Sequence, residues 1–271
     1  MNYILELKNV SKIFYSGPLW DRKNNHAVND ISLTLGNKSS QILGIVGESG
    51  SGKSTLALLT LGFLSPTKGQ INLNNKNIQK LNNEEMREYT RVIQPVYQDP
   101  FASFNPFYKI NRVLEFPLKK YNYLDSKTDI DQEISDILEK VGLDPKDTLN
   151  KYPHQLSGGE RQRLMIARAL LCKPKFILAD EPVSMVDASL RSSILSELKS
   201  LSKENNIHIL YITHDLTTAY NICDDIMVMK NGMCVEHGEC KKIINNPKDK
   251  YTKELISSIP TLDTKQNWIN K

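Results

Sequence analysis

Gly47, Glu48, Ser49, Gly50, Ser51, Gly52, Lys53, Ser54 and Thr55 form one unbroken stretch that fits the phosphate-binding pattern G-x-x-x-x-G-K-[ST]. Its glycines let backbone N–H groups curl around an anion without Cβ clashes. Lys53 supplies a cation for the β- and γ-phosphates, and the Ser54 hydroxyl is a ligand suited to Mg²⁺. Further along, Asp180 and Glu181 stand together at the end of the apolar run Phe176–Ala179, and His214 ends the apolar run Ile207–Thr213. Asp180 is suited to holding Mg²⁺ through water. Glu181 is suited to polarising a water for in-line attack on a phosphorus. An imidazole at position 214 can hydrogen-bond a γ-phosphate. Gln98 also follows an apolar run, and its amide can bond the attacking water or a metal ligand.

These groups need a scaffold that brings strand ends to one edge. Gln41–Val46 is short, apolar and rich in β-branched residues, which predicts a buried strand leading into the phosphate loop. Leu56–Leu61 predicts the helix after it, whose N-terminal dipole favours phosphate. Ile4–Val10 and Val28–Leu35 alternate and read as half-buried strands. A polar, turn-rich loop over Ser16–Asn25 separates them, and Gly69–Asn74 reads as another strand. Arg91–Gln98 is expected as a strand, with Pro95 arguing for an edge position. Ile110–Val141 has helical spacing with a lysine-rich break near residues 119–127. Ser157 is placed to cap a helix over Arg161–Leu170. A further helix is expected over Ala188–Glu204, and Asn231-Gly232 reads as a hairpin turn. Together they predict an α/β core, a β-rich antiparallel opening and a mostly helical insert over about residues 100–160.

Composition sets broad limits. The 271 residues are 39% hydrophobic and 24% charged, ordinary globular values. A net charge of +4 is too mild to argue for nucleic acid as a partner. No apolar run approaches the roughly 18 residues that span a bilayer, and the first residues lack the pattern of a signal peptide. Cys172, Cys223, Cys234 and Cys240 form no C-x-x-C pair, which suits reduced thiols.

The order of motifs is specific. The phosphate loop is followed by Gln98, then Leu156-Ser157-Gly158-Gly159-Glu160, Asp180-Glu181, Ser184-Met-Val-Asp187 and His214. This resembles the nucleotide-binding subunit of an ABC transporter over nearly the whole chain. The resemblance implies a P-loop NTPase (ABC ATPase) fold with an N-terminal antiparallel β subdomain and an inserted α-helical subdomain. It implies ATP and Mg²⁺ as cofactors. The metal would be held by Ser54, Gln98 and Asp180, with Glu181, His214 and Gln98 in the catalytic roles. Ser157, Gly158 and Gly159 resemble the signature motif, which binds the ATP held by the opposite subunit, and Asp187 resembles the aspartate that reaches across the dimer. An aromatic residue near the N-terminus stacks on adenine in this family. Phe14 is the better candidate by spacing and Tyr15 the alternative.

Within the family, Gln98–Pro106, Glu181–Asp187 and the tail Tyr251–Pro260 resemble the peptide/nickel importer class, although Asp249-Lys250 stand where His-Pro is usual. This implies a nucleotide-binding domain over residues 1–246 and an importer-type tail over 247–271. The implied function is ATP-driven uptake of small peptides or nickel at the cytoplasmic face of the membrane. The implied partners are two permease subunits, a second ATPase subunit, identical or different with a different one favoured, and an extracytoplasmic solute-binding protein. A soluble ABC-type ATPase and a P-loop kinase are the rival readings. The Leu-Ser-Gly-Gly-Glu motif argues against the kinase.

Overall fold

The computed structural model describes residues 4–17, 23–37, 40–121 and 126–259. Two sheets carry the fold. The first is antiparallel, in the order β2-β1-β4-β5, with β1 Leu5–Ser16, β2 Lys23–Leu35, β4 Lys68–Leu73 and β5 Lys76–Asn77. The second has six strands in the order β10-β9-β3-β8-β7-β6. Its members are β3 Ile42–Val46, β6 Ile93–Val96, β7 Phe176–Asp180, β8 His208–Thr213, β9 Asp225–Lys230 and β10 Met233–Glu239. All its pairings are parallel except the β9–β10 hairpin, which turns at Asn231-Gly232.

The central strands are apolar throughout because both faces of their sheet are covered. Leu43 and Ile45 of β3, Phe176 and Leu178 of β7, and Leu210 and Ile212 of β8 pack toward the antiparallel sheet. Helix α1, Lys53–Thr60, lies between the two sheets and adds Leu56 and Leu59. The alternate residues Ile42, Val46, Ile177, Ala179, Ile209 and Tyr211 face a second core on the other side. The period of two along each strand thus divides one run of apolar residues between two cores. Gly44 falls on the second face. A Cβ there would lie 2.8 Å from Cys223 Sγ.

That second core is closed by helices. They are α3 Ile110–Tyr121, α4 Lys127–Lys140, the short α5 Pro145–Thr148, α6 Gly158–Leu170, α7 Ala188–Glu204, α8 Leu216–Ile222, α9 Cys240–Asn245 and α10 Lys250–Ser257. Helix α4 shows why the sequence folds here: Ile130, Ile134, Ile137 and Leu138 recur on one face and are buried. Each such side chain contributes about 1.5–3 kcal/mol when fully buried.

Three expectations need correction. Arg91 and Val92 end helix α2, Asn83–Val92, rather than opening a strand. The strand is only β6, and Gln98 lies two residues beyond its end. Helix α2 itself was not anticipated. It starts with a capping box between Asn82 and Glu85, and buries only Tyr89 and Val92. The expected polar loop over 16–25 is shorter, since β1 reaches Ser16 and β2 begins at Lys23; residues 18–22 of it lie outside the described residues. Pro95 does lie in an edge strand, because β6 ends the sheet. Among the described residues, no helix is long and apolar enough to cross a membrane.

Candidate active site

The strand order decides the site. The neighbours β3, β8 and β7 run parallel, so the segments after them emerge at one edge of the sheet, where open α/β sheets place ligands. The phosphate loop follows β3, His214 follows β8, and Asp180-Glu181 ends β7. A cleft of about 1150 Å³ opens there, lined by Glu48, Ser49, Gly50 and Gly52–Thr55 of the loop, by Gln98, Glu181 and His214, and by Phe14 and His26 from the antiparallel sheet. The β9–β10 turn and helix α10 supply Asn231 and Leu255 to its wall.

Close packing explains two glycines of the loop, Gly47 and Gly52. Gly52 has φ +105°, and a Cβ on it would come within 2.2 Å of the Ala27 carbonyl oxygen. Only a residue without a side chain lets the loop lie so near β2. The hairpin turn lies beside β2 and also supports the loop, since Gly232 N–H donates to the Ser51 carbonyl at 2.9 Å. Lys53 Nζ donates to the carbonyls of Gly47 and Glu48, each at 2.7 Å. Burial lowers its pKa, and the charges of Glu181, Asp180 and Glu48 oppose that shift.

Glu181 has φ +46°, in the left-handed region that a side chain with a Cβ rarely adopts. The Glu181 N–H nevertheless reaches the Ile212 carbonyl at 2.8 Å, which extends the β7–β8 ladder by one bond. Its carboxylate is held at both oxygens: His214 Nδ1 lies 2.6 Å from Oε1, and Gln98 Nε2 donates to Oε2 at 3.1 Å. Asp180 has its pKa raised by burial first and by the neighbouring Glu181 charge second, while Lys53 pulls it down. The arrangement supplies a cation and backbone donors at one end, a held carboxylate at the other, and space between for a polyphosphate.

Not every anticipated residue reaches this cleft. Gly47 and Ser51 of the loop, Asp180, Ser157, Gly158, Gly159 and Asp187 are not among its lining residues, and of the aromatic pair only Phe14 is. Tyr15 is the next residue on β1, and Lys12 Nζ lies 5.4 Å from the Phe14 ring centroid. Ser157 caps α6: its hydroxyl accepts from Glu160 N–H, and the Glu160 carboxylate accepts from Ser157 N–H at 2.7 Å. Ser157 and Asp187 are both exposed. Sequence reasoning missed His26, Asn231 and Leu255, which carry no motif and reach the cleft through strand register, a hairpin and the last helix.

A phosphate loop, paired carboxylates and a histidine on adjacent parallel strands, with an antiparallel sheet supplying an aromatic wall, define the ATPase of an ATP-binding cassette. Comparison with known proteins agrees. The family described as "ABC transporter" matches residues 28–184, and this chain belongs to it. A second family, "Oligopeptide/dipeptide transporter, C-terminal region", matches residues 235–271. The oligopeptide transport ATP-binding protein OppF of Haemophilus influenzae is 38% identical over 260 residues, covering 96% of this chain and 76% of the relative. The dipeptide transport ATP-binding protein DppF of Lactococcus lactis subsp. cremoris is 37% identical over 262 residues, 96% of this chain and 82% of the relative. Among solved structures, an ATP-binding cassette in a dimeric post-hydrolysis state, bound to ADP and Pi, superposes with TM-score 0.75 at 28% identity, over 87% of this chain and 98% of that one. The chain therefore binds ATP and is an ABC-type ATPase.

Proposed function

We propose that this chain is one of the ATP-hydrolysing subunits of an importer for oligopeptides or dipeptides, and that it works at the cytoplasmic face of the membrane. The observation that carries this reading is the match of its C-terminal residues 235–271 to the peptide-transporter C-terminal region, on a chain whose remainder is an ABC ATPase. The two sequence relatives named above are oligopeptide and dipeptide transport ATP-binding proteins, which favours peptide over nickel as the cargo.

In this reading the phosphate loop from Gly47 to Thr55 holds the triphosphate, and Phe14 stacks on the adenine. Glu181 accepts the proton of the attacking water, while His214 and Gln98 hold its carboxylate in one orientation. Mg²⁺ fits the residues present. The Ser54 hydroxyl, the Gln98 amide oxygen and the Asp180 carboxylate are all hard oxygen donors, and the Asp180–Glu181 pair concentrates negative charge that a cation relieves. When bound, the ion would supply charge neutralisation on the phosphates.

Ser157, Gly158, Gly159 and Asp187 then serve a second nucleotide, across a head-to-tail dimer with another ATPase. Met185 and Leu190, both exposed beside them, add apolar surface to that face. Two permease subunits and a solute-binding protein complete the system. A groove lined by Phe63, Gln94, Phe116 and Tyr121 lies between the turn after α1, strand β6 and helix α3, and its exposed phenylalanines suit a permease segment.

The test is uptake. Disrupting the gene should abolish accumulation of labelled di- or oligopeptides and leave nickel uptake intact. Restoration by the wild-type gene and not by the Lys53→Ala gene supports the proposal. Normal peptide uptake in the disrupted strain, with loss of nickel uptake, would reverse the cargo.

A further inference from the structure

The phosphate loop is fixed by a residue far from it in sequence. Glu48 N–H donates to the Tyr251 hydroxyl at 3.1 Å, across 203 positions. The Gly47 carbonyl, which belongs to the same peptide unit, accepts from Lys53 Nζ at 2.7 Å. The peptide bond is planar, so its N–H and C=O point in opposite directions and turn together. Tyr251 thus holds one end of the plate whose other end aims at the Lys53 ammonium. If that plate rotates, both bonds are lost.

The tyrosine is itself held from several sides. It is 5% exposed, and Lys230 Nζ lies 4.4 Å from the centroid of its ring. Asp249 caps α10 by accepting from Tyr251 N–H at 2.8 Å and Thr252 N–H at 3.3 Å. The Glu236 carboxylate of β10 accepts from Lys248 N–H at 3.0 Å and Asp249 N–H at 3.1 Å, tying the helix start to the sheet. One turn after Tyr251, Leu255 reaches the wall of the nucleotide cleft.

We propose that α10 is a working part of the nucleotide site, with Tyr251 as the positioning residue that sets the Gly47–Glu48 peptide and, through it, Lys53. Residues matched by the peptide-transporter C-terminal region then tune ATP affinity. The proposal rests on the cleft being the ATP site.

The experiment uses the full-length chain and a fluorescent N-methylanthraniloyl derivative of ATP. Tyr251→Phe keeps the ring and its cation contact and removes only the hydroxyl. Affinity should fall about fivefold, the worth of one net hydrogen bond. The melting temperature without nucleotide should fall by no more than about 4 °C, the worth of that one bond in a chain of this size, since the packing of α10 is retained. A structural role alone would move melting temperature and affinity together. Wild type and Tyr251→Phe binding equally well would overturn the proposal. So would a loss of affinity in Tyr251→Phe accompanied by a fall in melting temperature well beyond that of one bond. A wild-type chain that bound no nucleotide would instead overturn the site reading, and the brace with it. Asp249→Ala gives a second check in one direction: unchanged affinity in a variant whose α10 has loosened, seen as faster amide exchange there, would overturn the proposal.

Discussion

His214 Nδ1 and Glu181 Oε1 are 2.6 Å apart, although 33 positions separate the two residues in the chain. The contact exists because β7 and β8 are hydrogen-bonded neighbours with Asp180 paired to Ile212, so the residues just past their ends meet. Gln98 closes the other carboxylate oxygen from beyond the edge strand β6. Glu181 is thereby set in one rotamer by two partners, on a backbone in the left-handed region. Such a constraint on a non-glycine residue is characteristic of sites where geometry matters more than local comfort.

Glu181→Gln is expected to retain ATP binding and to lower turnover about 10²–10⁴-fold, because the amide keeps the shape and cannot take a proton. Single-turnover phosphate release by the assembled transporter, with binding measured alongside, checks this. Near-normal turnover would mean that another group polarises the water.

Asp180→Asn should stabilise the nucleotide-free chain while weakening Mg²⁺-dependent ATP binding. Burial and the Glu181 charge raise the Asp180 pKa above its ordinary value of 3.8. The folded state therefore holds that proton more tightly than the unfolded one, and the contribution favours folding below about pH 4. It is lost as pH rises through the raised value, so at pH 7 the ionised carboxylate is a net cost. The melting temperature of Asp180→Asn should exceed that of wild type by about 1–3 °C at pH 7, with the gap narrowing as pH falls below the raised pKa. A lower melting temperature at pH 7 would contradict this account.

Phe14 lines the cleft and Tyr15 does not. Phe14→Ala should weaken ATP binding by about 1–3 kcal/mol if the ring carries the adenine, by analogy with base–aromatic stacking. Phe14→Trp should keep it, and Tyr15→Ala should change it little. Calorimetric titration with ATP separates the three. A larger loss in Tyr15→Ala than in Phe14→Ala would exchange the roles.

Ser157→Arg should spare ATP at this chain's own phosphate loop and block the site on the partner ATPase. Ser157 is exposed at the start of α6 and lies outside the cleft that holds Lys53. A mixed complex with one subunit mutated, and occupancy measured at each site, checks it. Loss of binding at this chain's own site, with the partner's intact, would defeat the shared-site arrangement.

The local chemistry was readable from the chain alone. The phosphate loop, the strand before it and the helix after it form one contiguous unit whose glycine pattern and apolar run are set by neighbouring residues. The cap at Ser157 and the long helix Ala188–Glu204 were legible for the same reason. Helix α2 was missed although the Asn82–Glu85 capping box and the one-sided burial of Tyr89 and Val92 are signals the sequence carries. The end of β6 was not legible, since helix passes into strand there without a turn residue between Val92 and Ile93. Strand order lay beyond the sequence: nothing local places β8 between β3 and β7, yet that order brings His214 to Glu181. Spacing along the chain already favoured Phe14 over Tyr15, and the position of β1 beside the phosphate loop puts Phe14 in the cleft lining. The Tyr251–Glu48 bond depends on the packing of the last helix against the first loop. Short-range pattern fixes which groups can do chemistry, because turn and cap preferences act over a few residues. Burial of two separate cores decides which of those groups meet, because that free energy is summed over contacts between residues far apart in the chain.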